Sequence, residues 1–174
     1  NSLAYDSYLR GKKYSYDLEY DLAIEMFSKA ITQDPDFALA YLERASLYSM
    51  VYFRKGDIYS GDWEGFDLLA KEDLEKALKM SPNLPEVKYV KAEQLYFFEQ
   101  KYDKALEFLD EVKPQMPNNP LLVALRGYIL RRKGQWEESL KEIHNANLLD
   151  PLYANYYIEL GHTYLMMRRY SEAV

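Results

Sequence analysis

Four prolines, Pro35, Pro82, Pro117 and Pro151, each close a stretch in which a small residue, a bulky one and a second small one recur at a single spacing, Ala-x3-bulky-x2-Ala-x4-Pro. The sets are Ala23, Phe27 and Ala30; Ala70, Leu74 and Ala77; Ala105, Leu109 and Val112; and Ser139, Ile143 and Ala146. Positions i, i+4 and i+7 share one helix face, so each block is read as a helix with one stripe to bury. No such helix can cover its stripe alone. The proline steps of 47, 35 and 34 residues mark the chain as a row of helical hairpins that cover one another.

Upstream of each block lies a second helix, marked in turn by Gly11 and Tyr14, Ala45 and Tyr48, Glu93 and Tyr96, Gly127 and Leu130, and Gly161 and Tyr164. The small residue lets the paired helix approach and the bulky one fills the space beside it. Calling the upstream helix A and the proline-closed helix B, the pattern resembles the tetratricopeptide-repeat (TPR) family over nearly the whole chain. The last repeat is the nearest match, with Tyr157, Leu160, Gly161, Tyr164 and Ala173 on the family's aromatic, Leu-Gly, Tyr and Ala positions. Departures are Ser7, Arg10, Arg44, Glu93, Arg126 and Ser139, at places where the family has apolar or small residues. The resemblance implies an all-α fold, a right-handed superhelix of antiparallel helix pairs. It implies one solenoid domain over 1–174, with repeats at 4–37, 38–84, 86–119, 120–153 and a truncated 154–174, so that the chain reads as a piece cut in mid-repeat.

Turn chemistry fits these hairpins: Asn119 before Pro120 reads as an N-cap with proline at the first helical position, and Asp103 and Ser171 are placed to cap helices B of the third and fifth repeats. One repeat breaks the period. Tyr48 and Ala70 lie 22 residues apart where the equivalent step is 9 elsewhere, so the second repeat carries 13 extra residues between its helices. That region holds Tyr52, Phe53, Tyr59, Trp63 and Phe66 with Gly56, Gly61 and Gly65. One reading prolongs both helices by about two turns each, with Trp63 or Phe66 packed between them. The other makes Tyr59, Trp63 and Phe66 an aromatic edge that meets a partner, since insertions in repeat proteins collect on one face.

Composition excludes several functions. With 48% hydrophobic and 29% charged residues the chain suits a soluble domain, no run of about 18 apolar residues predicts membrane insertion, and a cytoplasmic location is expected. There is no cysteine, and the only imidazoles are His144 and His162. No His-x3-His, Gly-x-Ser-x-Gly or phosphate-loop pattern occurs, so the chain is read as non-enzymatic and without a cofactor or metal. Basic clusters at Arg10, Lys12 and Lys13, at Arg54 and Lys55, at Arg131, Arg132 and Lys133, and at Arg168 and Arg169 fall near the ends of helices A. There they complement helix dipoles, and a net charge of −6 argues against nucleic acid.

The family's groove-facing positions carry over to Tyr5, Tyr8, Lys12 and Tyr16; Leu39, Leu42, Ser46 and Met50; Val87, Val90, Gln94, Phe97 and Phe98; Ala124, Tyr128, Arg131 and Arg132; and Ile158, His162 and Met166. This implies an apolar, aromatic concave groove for a protein or peptide partner. Its occupant is either a hydrophobic segment of another protein or a cis segment of a longer chain, and some of these side chains are core instead. The carboxylate clamp of chaperone-binding TPR proteins has Tyr8, Lys12, Glu43, Val87 and Lys91 at its positions here and is not formed. Two stretches, Ala4-Tyr5-Asp6-Ser7-Tyr8-Leu9-Arg10-Gly11 and Gly127 to Leu140, resemble the TPR region of bacterial signalling proteins such as class III adenylate/guanylate cyclases, kinases and winged-helix regulators. That implies a regulatory or assembly module, or an oligomerisation module beside a catalytic domain. The short last repeat leaves its helix A uncovered, and the expected cover is either a second copy, giving a homodimer through this repeat, or a further stretch of a longer chain that completes the hairpin.

Overall fold

The computed structural model describes residues 1–55 and 57–173, and among these every regular element is helical. Two compact units form, Asn1–Gln100 and Lys101–Val174, and their boundary falls inside the third sequence repeat. Unit one contains α1 (Ser2–Tyr16), α2 (Tyr20–Gln33), α3 (Ala38–Phe53), α4 (Phe66–Met80) and α5 (Pro85–Gln94), the last continued by one π-helical turn, Leu95–Glu99. Unit two contains α6 (Tyr102–Val112), α7 (Pro120–Arg132), α8 (Trp136–Leu149), α9 (Ala154–Met166) and a 3-10 turn, Tyr170–Glu172. The pairs α1/α2, α3/α4 and α7/α8 are A/B hairpins.

The repeated stripes are the cores of these hairpins. Ala23, Phe27, Ala30, Ala70, Ala77, Ala105, Leu109, Val112, Ser139, Ile143 and Ala146 have no exposed surface. A Cβ added at Gly11 would stand 2.6 Å from the Phe27 ring, and one at Gly127 would stand 2.7 Å from Ile143 Cγ1. The helix A glycine is therefore the seat of the bulky helix B residue, and the hairpin closes because that position has no side chain.

In four repeats helix A stops at a left-handed residue seven positions past its small-residue register: Leu18, Gln100, Gly134 and Arg168. In the second repeat the left-handed residue is Lys55, ten positions past Ala45, so α3 runs only three residues longer in register. Helix α4 starts four residues before Ala70, where α2, α6 and α8 start three before their small residues. The expectation of two long helices is thus corrected. Most of the 13 added residues lie in the connector 54–65, of which Gly56 is outside the described residues. Gly65, at φ +85°, occupies a left-handed conformation at the N-cap of α4 and stops the helix from extending backwards. The connector is tied down: Asp21 of α2 accepts from the Ser60 backbone N–H at 3.3 Å and from its hydroxyl. Ile58, Tyr59 and Trp63 pack on the α2/α3/α4 core, and buried Phe66 meets the Tyr48 ring at 4.3 Å. Phe66 thus packs between the two helices as expected.

The Asn119 cap forms as expected, its side chain accepting from Leu122 N–H at 3.0 Å with Pro120 at N1. The other two caps do not. Lys101 is the N-cap of α6, and Asp103 in its first turn is instead bonded to Lys133. Ser171 lies within the 3-10 turn, where no α-helix begins. A cap not foreseen is Asn1, whose side chain accepts from Leu3 N–H at 3.1 Å.

Two of the arginine departures share one geometry. Arg44 of α3 donates to both carboxylate oxygens of Asp73 on α4, at 2.7 and 2.9 Å, and to Ser28 on α2 at 3.0 Å. Arg126 of α7 pairs with Glu142 on α8 at 3.3 Å and with Asp110 on α6 at 2.5 Å. Asp73 and Glu142 stand three residues past Ala70 and Ser139, and Ser28 and Asp110 five past Ala23 and Ala105, so the registers coincide. Where the family has an apolar residue, this chain has an arginine that joins three consecutive helices. Arg10 has Met26 at the equivalent helix B position and pairs instead with Asp6 on its own helix at 3.0 Å, in solvent.

Candidate functional site

The helix A face of unit one is built by α1, α3 and α5, and its floor is polar. Lys12 of α1 meets Glu43 of α3 at 2.7 Å. One turn on, Ser46 of α3 bonds the carboxylate of Glu93 on α5, which also accepts from Tyr89 OH at 3.0 Å. Glu93 is 8% exposed although it occupies the register that is Gly11, Ala45, Gly127 or Gly161 in the other repeats. Burial pushes its carboxyl up to about 7, against the opposing pull of the Ser46 and Tyr89 hydrogen bonds. Burial and the charge of Glu43 likewise hold the Tyr8 phenol well above its ordinary value.

Around this floor stands an aromatic rim. Tyr5 stacks on Tyr8 at 6.1 Å, and Tyr8 packs on Phe37 at 5.0 Å and on Phe27 at 5.9 Å. Tyr5 remains 54% exposed, and Tyr16 is exposed as well. Leu39 and Met50 are half-buried beside the core. Three other groove positions, Leu42, Val87 and Val90, are core residues that close α3 on α5. Gln94 is buried too, donating from Nε2 to the Ala70 carbonyl at 2.9 Å.

Phe97 and Phe98 lie in the π-helical turn. Phe97 packs on Phe53 at 5.0 Å; Phe98 meets the edge of Tyr52 at 5.7 Å, with Lys71 Nζ 5.3 Å from its ring centre. Trp63 approaches Tyr52 as well, at 5.9 Å. Of the insertion aromatics, Phe66 is buried, while Tyr59 and Trp63 are half-buried supports of the connector.

In unit two, α7 and α9 form the corresponding face. Arg131 is buried there: it pairs with Glu159 at 2.6 Å, donates to Thr163 Oγ1 at 2.9 Å and lies over the Tyr128 ring at 5.5 Å. It holds α9 to α7. Arg132 follows it at the last position of α7, and Asn155 reaches Tyr128 OH at 3.5 Å. Burial raises the Tyr128 phenol well above its ordinary value, with the Glu159 charge adding to it. Ile158, His162 and Met166 are exposed. Among the described residues no group of three or more histidines and carboxylates could hold a metal, and no helix is long and apolar enough to cross a membrane.

Sequence reasoning placed Tyr5, Tyr8 and Lys12 on one face and α1, α3 and α5 side by side. It took that face as apolar and missed Glu43, Tyr89 and Glu93 as one polar cluster. The available signal was Glu93 itself, a charged residue in a register of small ones.

Helix pairs of one register, closed by a small residue on helix A and a bulky one on helix B, occur across both units. The chain aligns with a thermophilic TPR protein of Thermus thermophilus at a TM-score of 0.70 and 18% identity, covering 98% of this chain and 86% of that one. The fold is that of TPR proteins. A TPR protein of Parabacteroides merdae aligns at 0.66 and 17% identity, covering 96% of this chain and 60% of the other. PilW, a type IV pilus biogenesis factor, aligns at 0.61 and 18% identity, covering 99% and 74%. No family model and no curated protein matches the sequence. Within the TPR fold, the polar floor and the arginine that joins three helices are features of this chain's own residues.

Proposed function

We propose that the protein is an interaction scaffold of the TPR family that takes a segment of another protein on the helix A face of unit one. The observation that carries this reading is the exposed Tyr5 beside Tyr8, set over the Lys12–Glu43 pair on rigid helices. Exposed tyrosines provide large contact area at small entropic cost. Because Leu42, Val87 and Val90 are core, the anchors left to a partner are Tyr5, Tyr8, Tyr16, Leu39 and Met50. The segment is therefore hydrophobic, with apolar or aromatic side chains to meet these anchors. The solved structure of YrrB, which aligns at a TM-score of 0.51 and 21% identity, is described as a TPR protein with an unusual peptide-binding site, and a peptide role for this chain accords with it. The scaffold belongs to a larger cytoplasmic bacterial signalling protein, as the stretches Ala4 to Gly11 and Gly127 to Leu140 suggest by resemblance.

Selection from a random displayed-peptide library tests the reading. Enriched peptides should footprint on α1 and α3 and lose most of their affinity to Tyr5→Ala, while the melting temperature stays nearly unchanged. No enrichment, or binding indifferent to Tyr5 and Tyr8, would sink it.

One observation favours self-association as a second reading. Helix α9 leaves Tyr157 (55% exposed), Ile158, Leu165 and Met166 in solvent, whereas Leu160 is buried. Sedimentation of the 174-residue chain should then depend on concentration, and Leu165→Asp should abolish that dependence. A monomer at all concentrations would remove this reading.

A further inference from the structure

Glu93 stands where four other repeats place Gly11, Ala45, Gly127 and Gly161, so a carboxyl occupies a position that elsewhere carries no polar group. It is enclosed, it is bonded from two helices, by Ser46 on α3 and Tyr89 on α5, and the backbone changes to a π-helical turn two residues later. That turn ends the helix, at the left-handed Gln100, and π-helical geometry is rare. The charged groups that reach Glu93 are Glu43 of α3, which opposes its ionisation, and Lys12 of α1, which favours it. Lys12 is already engaged by Glu43 at 2.7 Å. From α4 the neighbouring contact is the Ala70 carbonyl, taken by Gln94, and Lys71 is spent on the Phe98 ring in the π turn.

We propose that Glu93 is a proton-operated latch of α5 on α3. Neutral, the carboxyl donates to the Ser46 hydroxyl oxygen and accepts from Tyr89 OH, satisfying both oxygens in a dry site. Ionised, it becomes a buried charge facing Glu43 without a cation of its own, and α5 with its π turn loosens from α3. The carboxyl keeps its proton in the folded chain over a range in which the unfolded chain has lost it. Its contribution to stability is therefore complete below the ordinary carboxylate range, declines as pH rises from 4.5 to about 7, and is gone above that. The latch rests on unit one's own geometry and stands whether or not the face above it takes a peptide.

NMR of the full chain reads the latch directly. The Glu93 side-chain carboxyl signal should titrate near 7, and amide exchange over residues 92–99, corrected for intrinsic base catalysis, should quicken roughly tenfold between pH 6 and pH 8 relative to α2. Glu93→Gln, which mimics the neutral form, should abolish the excess exchange at pH 8. Glu43→Gln, which removes the charge that opposes ionisation and releases Lys12, should move the Glu93 midpoint lower. A Glu93 midpoint in the ordinary carboxylate range, an unmoved midpoint in Glu43→Gln, or the same pH dependence in wild type and Glu93→Gln would each overturn the latch.

Discussion

Asp73→Ala should destabilise unit one by about 3–5 kcal/mol, the cost of leaving a buried charge without its partner. Asp73 is 2% exposed and holds Arg44 through two hydrogen bonds, while Ser28 supplies the third. Burial opposes the Arg44 charge, and the hydrogen bonds and charge of Asp73 outweigh it, so the guanidinium's pKa lies above its ordinary value. Removing the carboxylate leaves burial opposed only by Ser28 and the Tyr41 and Tyr48 rings, at a point where α2, α3 and α4 meet. Replacing both partners by apolar side chains, as in Arg44→Met with Asp73→Leu, should lose far less, because no charge is then stranded. Urea unfolding of the single and double variants checks this; a single variant within about 1 kcal/mol of wild type would show that water reaches the arginine readily.

Gly127→Ala should cost about 1–3 kcal/mol, opposite in sign to the gain that helix propensity alone promises for alanine. The new methyl would lie 2.7 Å from Ile143 Cγ1, which could rotate away, and 3.2 Å from the Ser139 carbonyl oxygen, which belongs to helix backbone and cannot. Helix α8 would have to move off α7. Gly161→Ala is the matched control: its Cβ would meet only the Ala173 carbonyl oxygen at 3.4 Å, an ordinary contact, so that variant should be neutral or slightly stabilised. Thermal unfolding of the two variants should give changes of different size or sign. Equal melting temperatures would mean that the α7/α8 contact is softer than its geometry indicates.

What the sequence by itself determined are the features carried by local periodicity. A stripe at i, i+4 and i+7 must be buried on one helix face, so the B helices at Ala23, Ala70, Ala105 and Ser139 were legible from spacing alone. Glycine at 11 and 127 announced close helix pairing for the same reason, and Asn119-Pro120 announced a helix start. The connector in the second repeat was legible as extra length but not as structure: its glycines, and its tether to Asp21, 39 residues before Ser60 in the chain, decided between prolonged helices and a packed loop. The inner face was legible only as a register, for a similar reason. A carried-over register says which residues face inward but not whether they meet solvent or another helix, and Leu42, Val87 and Val90 meet another helix. Arg44, Arg126 and Glu93 read as isolated departures because their partners, Asp73, Glu142 and Ser46, come from other helices of the stack. Charges and hydrogen bonds act over a few ångströms in space regardless of separation along the chain, so only the tertiary structure could turn those three misfits into the polar contacts that join the helices.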